Sequence, residues 1–159
     1  MTTGEHVGPV GPSRGDKLAR TIATVVGATF LLVGVLGFVP GITTNYDDLK
    51  FAGHESTAEL LGIFQVSVLH NVVHLLFGLA GLALARRGST AVTYLLVGGA
   101  IYFVLWIYGL AVGHDHNANF VPLNDADNWL HLVLSIGMIG LGLYARRALR
   151  GEIGSQDPM

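Results

Sequence analysis

Cysteine is absent from the sequence, which removes disulfides, thiolate metal ligands and cysteine nucleophiles at once. Charge is scarce as well. Only 13% of the residues are Asp, Glu, Lys or Arg, where a soluble globular domain carries roughly 25%. The formal net charge of −2 gives nucleic acid no handle. There is no nucleophile elbow, phosphate-binding loop or nucleotide fingerprint, so the sequence reads as that of a non-enzyme. What is present is apolar: 51% of 159 residues are hydrophobic and 22 are glycine, a residue more frequent in membrane helices than in soluble ones.

A membrane-crossing helix needs about 20 mainly apolar residues. Four segments meet that need and predict an all-α, integral membrane, four-helix up-down bundle. The expected spans are 21–39, 60–85, 91–113 and 126–146. Pro40-Gly41 stops the first and Arg86-Arg87 ends the second. Ser56 with Glu59 reads as a capping box just ahead of the second. The apolar core of the fourth, 129–145, is the shortest and is expected to begin a turn earlier, at Asn124 or Asp125. The first span is too long for a signal-peptide core and no Ala-x-Ala site follows it, so it reads as a retained helix. Residues 1–20 and 149–159 are rich in Gly, Pro, Ser and charge and read as disordered tails around a helical domain at 21–148.

Lysine and arginine set the expected orientation. Arg14, Lys17 and Arg20 precede the first span, Arg86 and Arg87 sit between the second and third, and Arg146, Arg147 and Arg150 follow the fourth. Only Lys50 falls on the other side. The positive-inside rule then places both ends of the chain in the cytoplasm. The acidic segments 40–59 and 114–127 lie outside. Trp106, Tyr108 and Trp129 form the outer aromatic belt and Tyr94 and Tyr144 the inner one. The lipid bilayer is the expected partner, with room for a second copy or another membrane protein. Ala23, Gly27, Gly34, Gly37 and Gly41 share one arc of the first span. Gly98 and Gly99 sit mid-way along the third, and Gly137, Gly140 and Gly142 along the fourth. Small residues mark close helix contacts in membranes.

Chemistry concentrates in a polar stripe. Ser67, His70, Asn71 and His74 share one helical face, which Gly78, Gly81 and Ala85 continue. Gln65 falls on the opposite face. The fourth span offers Asn128, His131 and Ser135 behind a lead of Asn124 and Asp127, and the third adds Tyr102. Polar groups at that depth must face protein or water. The favoured reading is an interhelical hydrogen-bond network that fixes the bundle, without a cofactor. Such bonds average about 0.6 kcal/mol each.

Two alternatives stay open. His70 and His74 at i and i+4, with His131 as third ligand and Asp127 as an oxygen donor, could hold a divalent metal. Against that, His131 is expected near the outer surface and the pair near the midplane. The second alternative is a proton-linked or small-ligand site, open to the outer face between the second, third and fourth spans. Histidine titrates near pH 6.5 and can relay protons within membranes. His114-x-His116 with Asp115 forms a further outer-loop cluster that reads as solvated.

Three motifs carry a family resemblance: Val39-Pro40-Gly41-Ile42-Thr43, Leu69-His70-Asn71-Val72-Val73-His74-Leu75, and Pro122-Leu123-Asn124-Asp125-Ala126-Asp127-Asn128-Trp129-Leu130-His131. Over about residues 23–144 the chain resembles a bacterial membrane family known as domain of unknown function 4383, found mainly in high-GC Gram-positive bacteria. The resemblance implies a four-helix cell-membrane protein. It implies no activity.

Overall fold

The computed structural model of the chain describes residues 11–112 and 118–154. It holds four helices: α1 at Arg14–Leu36, α2 at Val68–Leu84, α3 at Gly88–Ala111 and α4 at Asp125–Gly154. Three of them, α1, α3 and α4, are long and apolar enough to cross a membrane. The fourth, α2, has 17 residues and is about 25 Å long at 1.5 Å per residue. The all-α bundle expected from the sequence is therefore present. The His114–His116 cluster lies outside the described residues.

The helix ends differ from expectation in three places. Helix α1 starts seven residues before the expected span, because Ser13 caps it by accepting a bond from the Asp16 N–H at 3.1 Å. Residues 14–20 are thus helical rather than part of a tail. Helix α4 runs on through Gly154, past the expected tail boundary. The largest difference is at the second span. Its capping residue is Ser67, whose hydroxyl accepts from the His70 N–H at 3.1 Å, and not Ser56. Residues 60–65, expected in the helix, belong to a hairpin instead.

That hairpin belongs to a small antiparallel sheet of β1 (Thr43–Thr44), β2 (Glu59–Leu60) and β3 (Phe64–Gln65), in the order β1-β2-β3. Leu61 and Gly62 turn the β2–β3 hairpin in the left-handed region, at φ 56° and 69°. Glycine adopts that region without a Cβ clash. Ala58, Leu60 and Val66 form a small core beneath the sheet, packed on Val33 and Leu36 of α1. Ser56 serves this cap rather than a helix: its hydroxyl bonds the Val66 carbonyl at 2.6 Å and the Lys50 N–H at 3.1 Å.

Below the cap, α1 pairs most closely with α2 and α3 with α4, while α1 also touches α3 and α4. On α1 the buried face is Gly15, Ala19, Ala23, Gly27, Phe30 and Gly34. A Cβ on Gly27 would stand 3.0 Å from the Gly78 carbonyl oxygen of α2, so the two backbones cross where neither carries a side chain. Gly98, Gly99 and Gly142 fill the corresponding role between α3 and α4. Gly137 and Gly140, expected at a contact, face open space. Tyr94, expected in the inner belt, is buried against Phe77 and Gly81.

At the other end of the bundle, Asp16 accepts a bond from the Gly88 N–H at 2.7 Å, and Arg20 donates to the Ala85 carbonyl at 3.2 Å. These bonds tie the start of α1 to the turn between α2 and α3. The arginines at both sides of that turn thus gather at one end of the molecule, and the sheet caps the opposite end.

Candidate functional site

Helix α2 begins only at Val68, so His70 stands in its first turn. His131 stands in the second turn of α4. The depth mismatch expected between them disappears once the hairpin replaces the outer part of the second span. Both histidines, with Asn71, His74 and Asp127, line one cavity of about 200 Å³ beneath the sheet. Its remaining wall comes from Val33 of α1, Leu130 of α4 and the hairpin residues Leu60, Leu61, Phe64 and Val66. The expected site between the second, third and fourth spans is corrected accordingly. The cavity lies between α1, α2, α4 and the hairpin, because the cap closes over that side.

The polar residues divide into two groups. Ser67, Asn71, Asn124 and Asp127 are satisfied by the fold. Asn71 donates to the Gly37 carbonyl at 2.9 Å, tying α2 to the end of α1. Asp127 accepts at one oxygen from the Gln65 N–H (3.0 Å) and the Asn124 N–H (3.1 Å). Asn124 returns a bond from the Asp127 N–H at 2.9 Å and donates to the Ile63 carbonyl at 2.7 Å. These contacts cap α4 and fasten the hairpin to it. Gln65, read from the sequence as pointing away from the site, is in β3 and meets Asp127 through its main chain. Its carboxamide holds the His54 and Ser56 carbonyls.

The histidines form the second group. They are 6%, 8% and 4% exposed at positions 70, 74 and 131. His70 Nδ1 and His131 Nδ1 are buried without a hydrogen-bond partner among the described residues. His74 Nδ1 lies 3.0 Å from the His70 carbonyl. A carbonyl only accepts, so in the neutral ring Nδ1 carries the proton and Nε2 the lone pair. The His70 and His74 rings stack with centroids 4.6 Å apart. A buried polar atom without a partner costs about 1–3 kcal/mol, so the two Nδ1 atoms weaken the fold where the His70 and His131 rings border the cavity.

Tyr102 lies behind the histidines. Its ring stacks on Phe30 at 5.4 Å and meets His131 at 5.3 Å. Asn128 is turned away from the cavity, toward Gly109 of α3, where its carboxamide oxygen lacks a partner among the described residues. No three His, Cys, Asp or Glu side chains among the described residues come together as a metal ion requires. The expected trio of His70, His74 and His131 shares a wall without converging on a point.

A second hollow, a groove of about 350 Å³ between α1 and α4, adjoins the first. Val33, His74 and Leu130 line both. The groove is otherwise lined mainly by aliphatic side chains such as Val25, Val26, Val133 and Leu141. In the sequence the residues of this hollow look like ordinary lipid-facing positions. The one usable signal was Gly137, whose lack of a side chain opens the α4 wall.

Comparison with known proteins adds the family and nothing finer. No curated protein and no solved structure matches the chain. The model of one family, described as "Domain of unknown function (DUF4383)", matches residues 20–144, which include both histidine motifs, the hairpin and all four helices but for their outermost turns, and the chain belongs to that family.

Proposed function

We propose that the protein is a non-enzymatic protein of the cell membrane that holds a small molecule in the outer half of the bilayer. Both ends of the chain would lie in the cytoplasm, where the clustered arginines belong by the positive-inside rule. One observation carries the reading. Three imidazoles, one of them with its Nε2 lone pair free, stand on the wall of one cavity. Intramembrane ionisable residues without a structural partner are candidates for function. Ser67, Asn71, Asn124 and Asp127 serve the fold, and the His70 ring meets the Gln65 and Pro122 main chain, which leaves His74 and His131 for a ligand.

Neither hollow shows the reacting pair that catalysis needs: no nucleophile stands beside a base. A metal is not part of this reading, because the donors do not converge. The test is to purify the protein in mild detergent and identify retained small molecules by native mass spectrometry. Leu130→Trp, which fills both hollows, is the comparison. A molecule held by the parent and lost from the folded variant is expected. A parent protein that carries nothing, and whose stability no added amphiphile changes, would overturn the proposal.

A further inference from the structure

The chemistry of the two hollows narrows the ligand, given the reading above. Consider charge first. Among the described residues no Lys or Arg lines either hollow. A phosphate or carboxylate head would find no cation, and Asp127 would repel it. A charged ammonium head would suit the acceptors but would be costly to bring into the hydrocarbon region, at a penalty of several kcal/mol. The head is therefore neutral.

Hydrogen bonding comes next. The His74 Nε2 lone pair is an acceptor on the cavity wall. It calls for a donor, which a neutral head supplies as a hydroxyl. A ketone or ester alone would leave it unmatched. The His70 and His131 rings complete the polar side of the wall.

Size and shape follow. A cavity of 150 Å³ is enough to hold benzene, and this one measures about 200 Å³. It takes one substituted six-membered ring and not a fused sterol nucleus. Phe64, His70, His74 and His131 offer that ring flat neighbours. A chain leaving the ring past His74 would enter the aliphatic groove between α1 and α4.

We infer that the two hollows together bind a long-chain phenol, the chemistry of a membrane quinol, with its hydroxylated ring against His70, His74 and His131 and its hydrocarbon chain in the α1–α4 groove.

The probes are decylhydroquinone, decylbenzene, decanol and dodecylammonium, each titrated into the full-length protein in detergent. Binding is followed by thermal stability and by ring-nitrogen NMR shifts of ¹⁵N-histidine-labelled protein. Decylhydroquinone is expected to bind at least about fivefold more tightly than decylbenzene or decanol, the worth of one net hydrogen bond. It should shift the His74 Nε2 resonance. His74→Phe should bring hydroquinone affinity down to that of decylbenzene in the same variant. The probe series in the parent protein stands even if that variant fails to fold. Equal binding of decylhydroquinone and decylbenzene would overturn the phenol assignment while leaving a ligand-holding cavity intact. Preference for dodecylammonium or decanol would do the same. No binding by any of the four would bring down both this inference and the reading it rests on.

Discussion

Asn71 and Gly37 fit only as a pair: the Asn71 carboxamide donates to the Gly37 carbonyl at 2.9 Å and fills the volume that a side chain at position 37 would take. Gly37 ends α1, where terminal carbonyls have no partner in their own helix. A side chain from α2 supplies one. Asn71→Ala should cost about 1 kcal/mol, within the range of single hydrogen bonds in membrane proteins. Gly37→Ala should cost more, about 1–3 kcal/mol, because its methyl meets the carboxamide. The double variant Gly37→Ala/Asn71→Ala should lose less than the two single losses added. Unfolding in mixed micelles by dodecyl sulfate measures all three, and strict additivity would mean that the two residues do not share space.

Asp127 fastens the hairpin. Its carboxyl oxygen serves two N–H groups, Gln65 and Asn124, and a hydrogen bond of this kind is worth about 0.5–1.5 kcal/mol net. Asp127→Ala should release the hairpin, read as faster amide exchange at Gln65 and as cleavage near Gly62 by added protease. Asp127→Asn, which keeps an acceptor oxygen, should fall between the two. Unchanged exchange at Gln65 in the alanine variant would show that the cap is held by its apolar underside alone.

His74→Leu and His131→Leu test the absence of a metal. Each removes one imidazole from a cavity wall and should change thermal stability in detergent by no more than about 1 kcal/mol. A chelator should have no effect on the parent protein. Large and equal losses in both variants, reproduced by chelator in the parent, would mean that the two histidines ligate one ion.

Orientation can be checked by reporter insertion. A reporter active only in the cytoplasm should work when fused after Arg150 and fail when placed at Gly53, in the loop that precedes β2. The reverse pattern would invert the molecule in the membrane and move the cavity to the cytoplasmic half.

Much of the fold was legible because helix ends are marked by charge. Arg86-Arg87 located the turn between α2 and α3, and Asn124-Asp125 located the start of α4. The polar face of α2 was legible from 3.6-residue spacing alone. The hairpin was not. Leu60–Val66 is as apolar as a span, and hydropathy does not distinguish a strand packed on a helix from a helix in lipid. Gly62 was the available sign of a turn, and Ser67 was as good a cap as Ser56. Placing the helix two turns too early also set His70 too deep, which made the histidines seem unable to share a site. The position of the cavity depends on which helices pair, and small residues on three spans do not specify that.

The bond from Gln65 to Asp127 spans 62 residues of sequence, and this has a bearing on how the protein is made. Synthesis proceeds from the N-terminus at about 5–20 residues per second, so Gln65 leaves the ribosome roughly 3–12 s before Asp127. Through that interval α1, the hairpin and α2 have no fourth wall, and the imidazoles of His70 and His74 face whatever the insertion machinery or the lipid provides. The last helix is the one that turns an open trough into a chamber. A transcript cut short before codon 127 would therefore yield a membrane-inserted chain with an unfastened cap, the form that a quality-control protease is best placed to recognise.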